Sequence, residues 1–130
     1  MKAKITRVFK THTFTRWMKD IELTDALLSI AVFEMENGLI DAELGGGVIK
    51  KRIALAGRGK SGCIRTLLAT NKNDRWFFIF GFEKNERENI STKELKFLKK
   101  FASGLLKITD VELGVLLKNK TLAEMTYEQK

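Results

Sequence analysis

Apolar residues recur along this chain at two spacings, and the changes of spacing mark its elements. Residues 3–10 read as a strand, with Ile5 and Phe9 set among basic residues. Residues 14–21 read as a short helix started by Thr13, with Phe14, Trp17 and Met18 on one side. Thr24 is placed to cap a longer helix over 25–37, and Gly38 to stop it. Within that helix Leu27, Leu28, Ala31, Val32 and Met35 repeat at i, i+3 and i+4, the stripe of a helix laid against a core.

The period then falls to two. Three glycines at 45–47 precede a strand over 48–55, a second strand covers 63–69, and the run RWFFIFGF at 75–82 is apolar on both faces, as a central strand should be. Short connections predict an antiparallel meander. Ser91 with Glu94 three residues on is a capping-box signature for a helix over 92–107. That helix is expected to bury Leu95, Leu98, Phe101, Ala102 and Leu105 and to turn Lys93, Lys96, Lys99, Lys100 and Lys107 to solvent. A last helix over 110–118 leads into a flexible polar tail from about residue 120. The order β-α-α-β-β-β-α-α predicts one α+β domain over residues 1–130. Its antiparallel-rich sheet should have about four strands, with two N-terminal helices packed on it and one or two C-terminal helices.

Composition narrows the chemistry. A chain of 130 residues supports a single core. No apolar run is long enough to span a bilayer, and the opening MKAKITRVFK lacks the apolar stretch of a signal peptide, so no membrane association is expected. The single cysteine, Cys63, allows no internal disulfide and fits a reducing cytoplasm. With one Cys and one His (His12), a structural zinc is effectively excluded, and neither a metal nor a small-molecule cofactor is expected. Any enzyme chemistry falls to Lys, Arg, carboxylates or the one Tyr.

The net charge of +8 is segregated. Residues 22–43 hold six acidic side chains and no basic one, whereas 44–65 (LGGGVIKKRIALAGRGKSGCIR) holds six basic side chains and no acid. Strand alternation puts Lys50 and Arg52 on one side with Val48 and Ala54, and Ile49, Lys51, Ile53 and Leu55 on the other. Arg65 follows in the next strand. A sheet surface bearing Lys50, Arg52, Lys60 and Arg65 suits a polyanion, nucleic acid above all; a hairpin whose lysines only confer solubility is the competing reading. The string Gly59-Lys60-Ser61 is not a phosphate-binding P-loop, because Ala54 stands where that motif needs its first Gly and a strand follows instead of a helix.

With this order of elements, the segments 23–28 (LTDALL), 36–41 (ENGLID), 44–47 (LGGG), 50–52 (KKR), 59–62 (GKSG), Arg65 and 80–90 (FGFEKNERENI) resemble the RelE/ParE superfamily of bacterial toxins, and more closely its HigB-type branch. The resemblance covers most of residues 14–106. It implies a cytoplasmic toxin of a type II toxin–antitoxin system, an mRNA endoribonuclease acting on the ribosome without a metal, and a cognate antitoxin, a helix-turn-helix protein encoded next to it. Lys50 and Arg52 match the family's basic pair on the strand, and Arg65 the Arg that contacts the scissile phosphate. The family's late catalytic Arg aligns with Asn85 and its late Tyr with Ser91 or nearby, so Lys84 is read as the remaining catalytic cation. Lys51, Arg58, Lys60 and Arg87 are read as RNA-binding residues. The only Tyr, Tyr127, lies in the tail, from which it would have to reach back. Two alternatives remain open, a ParE-type inhibitor of DNA gyrase without nuclease activity and a non-catalytic RNA- or DNA-binding module. An antitoxin is expected either to lay acidic residues across Lys50, Arg52, Lys60, Arg65 and Lys84, or to dock on the acidic helical layer over 25–41.

Overall fold

The computed structural model describes residues 5–55, 63–84 and 86–127. Its elements run β1 (Arg7–Thr11), α1 (His12–Asp20), α2 (Asp25–Glu36), β2 (Ala42–Gly45), β3 (Val48–Ala54), β4 (Cys63–Thr70), β5 (Arg75–Glu83), α3 (Thr92–Lys107), α4 (Asp110–Lys118) and β6 (Leu122–Met125). The strands form one sheet in the order β2-β3-β4-β5-β1-β6. Strands β2 to β5 are the expected antiparallel meander. The chain's first strand then completes the sheet, running parallel to β5 and antiparallel to β6.

The class is α+β, as expected, but the described sheet has six strands rather than about four. Both additions escape period-two reading for physical reasons. Strand β2 has only four residues and ends where Gly45, Gly46 and Gly47, all at positive φ, turn the chain into β3. Strand β6 lies where a flexible polar tail was expected. It buries Leu122 and Met125 at its two ends and exposes Ala123 and Glu124 between them, so its apolar spacing is three. Pairing with β1, and the doubly bonded Arg7–Glu124 contact at 2.8 Å, hold it in place.

Helices cover both faces. Alternation along β1 and β5 sends Val8, Trp76 and Phe78 to one side, where they pack with Phe14 and Met18 of α1 and Leu28, Val32 and Met35 of α2. Phe9, Phe77 and Ile79 go to the other side, with Leu98, Ala102 and Leu105 of α3 and Leu113 of α4. Helix α1 starts two residues earlier than predicted, because Thr11 at the end of β1 is the cap and accepts the Phe14 N–H at 3.1 Å. Thr24, Ser91 and Thr109 cap the other three helices, Ser91 and Thr109 through complete capping boxes. Phe101 departs from the reading of α3: it is 37% exposed, and its helical neighbour Phe97 is 67% exposed.

Candidate functional site

The register between β3 and β4 sets Lys50 opposite Leu67 and Arg52 directly opposite Arg65. Cross-strand partners share a face, so Lys50, Arg52 and Arg65 stand together on the side of the sheet that also carries α3. Arg52 is exposed and Lys50 half-buried, whereas Arg65 is only 8% exposed and donates from Nη1 to the carbonyl of Cys63 at 3.1 Å. Lys84 is exposed in the turn after β5, at the same end of the sheet, because Glu83 pairs with Ile64 beside Arg65. Arg58, Lys60 and Asn85 lie outside the described residues.

Some of the described cations are ion-paired and others are not. Arg7, Lys10, Lys51, Lys72, Arg75 and Arg87 each meet a carboxylate, respectively Glu124, Asp25, Glu34, Glu43, Asp110 and Glu94. Among the described residues, none of Lys50, Arg52, Arg65 and Lys84 has a carboxylate partner. The nearest carboxylate to Arg52 in the bonding pattern, Asp41, accepts its backbone N–H at 2.7 Å and leaves the guanidinium unused. Like charges set directly opposite on paired strands repel and destabilise the ladder. A bound anion would relieve that repulsion.

Lys51 is a correction. It lies on the opposite side of β3 from Lys50 and is buried, its ammonium donating to the carbonyl of Leu39 at 2.9 Å and pairing with Glu34 of α2 at 3.0 Å. It pins α2 to the sheet and has no route to a ligand on the basic face. Arg87 is also more committed than expected. Its guanidinium lies 5.4 Å and 5.6 Å from the ring centres of Phe80 and Phe82, while Nη1 donates to Glu94 at 2.6 Å. A bulge between Leu67 and Leu68 lets both rings reach the basic side, with Phe80 opposite Leu67 and Phe82 opposite Arg65. Sequence reading passed over this platform because RWFFIFGF looks uniformly core-like. Hydrogen bonds from the Ser91 backbone, from Arg87 and from the Ser91 side chain pull the Glu94 carboxyl down to about 2.

Tyr127 does not reach back to the basic face. Its hydroxyl donates to Glu36 at 2.5 Å and its ring packs into the core on the α1/α2 side. Burial, then the bond to Glu36, push its pKa up, and its place on the α1/α2 side keeps it away from the basic cluster. The acidic layer over 25–41 is spent internally as well: Asp25 on Lys10, Glu34 on Lys51, Glu36 on Thr6 and Tyr127, and Asp41 on the Arg52 backbone. Among the described residues no group of three His, Cys, Asp or Glu side chains is placed to hold a metal ion, and no helix is long and apolar enough to cross a membrane.

The chain is a small α+β domain with an antiparallel meander and, on one sheet face, a cluster of Lys and Arg without carboxylate partners among the described residues. Residues 6–125 match the family model described as the RelE toxin of the RelE / RelB toxin-antitoxin system, and the chain belongs to that family of toxins. No curated protein matches the chain.

Proposed function

We propose that the protein is an mRNA endoribonuclease of the HigB-like branch, which cuts message on the ribosome, stops translation in the cytoplasm and is silenced by a helix-turn-helix antitoxin encoded beside it. The observation that carries this reading is the Arg52–Arg65 pair with Lys50 beside it, a set of cations on one sheet face without carboxylate partners among the described residues. In the reaction, the RNA 2′-oxygen forms a bond to the adjacent phosphorus and the P–O5′ bond breaks. The products are a 2′,3′-cyclic phosphate and a 5′-hydroxyl. The 2′-proton leaves to a base, the departing 5′-oxygen takes a proton from an acid, and the pentacoordinate phosphate carries extra negative charge between them.

Arg52 and Arg65 are assigned to that charge, where one positioned donor is worth about 10²–10³ in rate. Lys50 and Lys84 are assigned to proton exchange by their place beside the Arg52–Arg65 pair. Arg58, Lys60 and Arg87 are assigned to holding the RNA strand. Lys51 is left out of the site by its burial and its Glu34 partner.

Induced expression in bacteria with mapping of mRNA 5′ ends tests the proposal. Cuts at fixed positions of the reading frame within translated messages are expected. Growth arrest with intact mRNA and with gyrase-dependent DNA breaks would overturn it in favour of a gyrase poison.

A further inference from the structure

The sheet ends differently at its two edges. Strand β2 is blunted by a bulge between Glu43 and Gly45, which twists it away from a further strand. Strand β6 carries no bulge: Val8, Phe9, Lys10 and Thr11 of β1 pair with its Met125, Glu124, Ala123 and Leu122 in unbroken register. Two bonds fix which way its backbone groups point. The Arg7 N–H donates to the Asp74 carbonyl, on the β5 side, and the His12 N–H donates to the Thr121 carbonyl at 3.1 Å. Alternation then turns the backbone of Ala123 and Met125 towards β1. The N–H and C=O of Leu122 and Glu124 point outward, and no described residue bonds to them. A groove of about 540 Å³ runs along this open edge, with His12 and Thr15 of α1 on one side and Leu117 of α4 on the other. Besides His12, its ionisable side chains are Lys120, just before β6, and Glu124, near the strand's end.

We propose that β6 pairs antiparallel with β6 of a second copy of this chain, across a two-fold axis at Ala123, and so joins two sheets into one. In this register Leu122 of each copy exchanges both backbone bonds with Glu124 of the other, and every outward group of the edge is used. The two Ala123 residues form the close, non-hydrogen-bonded pair on the axis, with Cα atoms about 4.5 Å apart, where a small side chain suits. Lys120 of one copy comes diagonal to Glu124 of the other, within reach of its long side chain. The edge is thus charge-complementary to itself, in a chain whose net charge is +8. RNA is a poor occupant, since Lys120 is the only Lys or Arg lining the groove and Glu124 lines it too. The chain's own end is no better: Tyr127 is bonded to Glu36, and residues 128–130 are too few to supply both a turn and a strand. The pairing leaves the basic face open, because β5 and β1 separate β4 from β6, a distance of about 14 Å at the usual strand spacing. With four residues in β6, the contact is small and the dimer exchanges with monomer.

The test uses the full chain. Sedimentation equilibrium is expected to show monomer–dimer exchange, and the amides of Leu122 and Glu124 should gain protection from hydrogen exchange as concentration rises. Ala123→Arg sets two like charges on the axis and should weaken the dimer by at least about 100-fold, with the circular dichroism of the parent. Ala123→Cys in a Cys63→Ser background should form an intermolecular disulfide under mild oxidation, because the axial pair lies within bridging distance. Glu43→Cys on the β2 edge, in the same background, should not. The crosslink and the amide protection decide the matter if Ala123→Arg does not fold. A chain that stays monomeric at its highest soluble concentration overturns the proposal. So does a dimer that folded Ala123→Arg leaves intact, that protects neither amide, or that Glu43→Cys crosslinks as readily as Ala123→Cys.

Discussion

Arg52 and Arg65 face each other across the β3–β4 ladder, and neither guanidinium has a carboxylate partner among the described residues. Their repulsion raises the energy of the free protein, and an anion bound beside them would relieve it. Replacing Arg52 by Ala therefore has opposite effects on function and on folding. Cleavage should fall by about 10²–10³ and growth inhibition should disappear, while stability should hold or rise by a few tenths of a kcal/mol. Arg65→Met, which keeps the buried stem and removes the charge, should be equally inactive. Rate measurements on defined message and thermal melts check both halves. A fully toxic Arg52→Ala protein would remove this residue from the site.

Association with the ribosome should be steeply salt-dependent. Each phosphate neutralised by Lys50, Arg52 or Lys84 releases counterion, and three contacts to single-stranded RNA give a log–log slope of about −2. Sedimentation with ribosomes across a range of potassium chloride concentrations measures it. Flat binding would mean that the target is not held by its phosphates, and Lys50→Ala should reduce the slope where Lys72→Ala, paired with Glu43, should not.

Lys51 provides the internal control. Buried and bonded to Leu39 and Glu34, it holds α2 on the sheet. Lys51→Ala leaves a carbonyl without its donor and should cost about 1–3 kcal/mol in urea denaturation. Lys51→Met, which fills the same space, should recover part of that. Toxicity of the folded fraction should be unchanged in both. A Lys51 variant of normal stability and lost activity would return the residue to the RNA-binding set.

Most of the fold was legible in the sequence because its long elements announce themselves locally. Ser91 and Glu94 mark the start of α3, Thr24 and Gly38 bracket α2, and the alternation over residues 48–55 assigns Lys50 and Arg52 to one face. The short edge strands were not legible, since four residues with Leu122 and Met125 at a spacing of three satisfy no period. At the site, sequence identifies which side chains are basic but not which are already neutralised. Glu34 is 17 positions from Lys51, and Glu36 is far from Tyr127, at a sequence separation of 91. Only tertiary packing shows that these charges are spent. The Phe80–Phe82 platform stayed hidden because it depends on a bulge in the β4–β5 pairing that no local residue pattern encodes.

Glu94 links the start of α3 to the basic face, and its titration gives a prediction with a definite sign. It accepts the Ser91 N–H at 3.0 Å and Arg87 Nη1 at 2.6 Å, and these bonds hold it ionised to about 2 against an ordinary value of 4.5. A carboxyl depressed in the folded state binds its proton more readily when unfolded. Its contribution to stability is therefore complete above about 4.5 and is lost as pH falls towards about 2. In Glu94→Gln the side chain can still accept the Ser91 N–H, so the capping box survives, but the charge and its titration are gone. The variant should be less stable than the parent at pH 6, and the difference should shrink steadily between pH 4.5 and 2 as the parent loses what the variant never had. Urea midpoints across that range measure the convergence. Parallel curves would show that the Glu94 carboxylate contributes nothing through its charge, and that Arg87 is held over Phe80 and Phe82 by the rings alone.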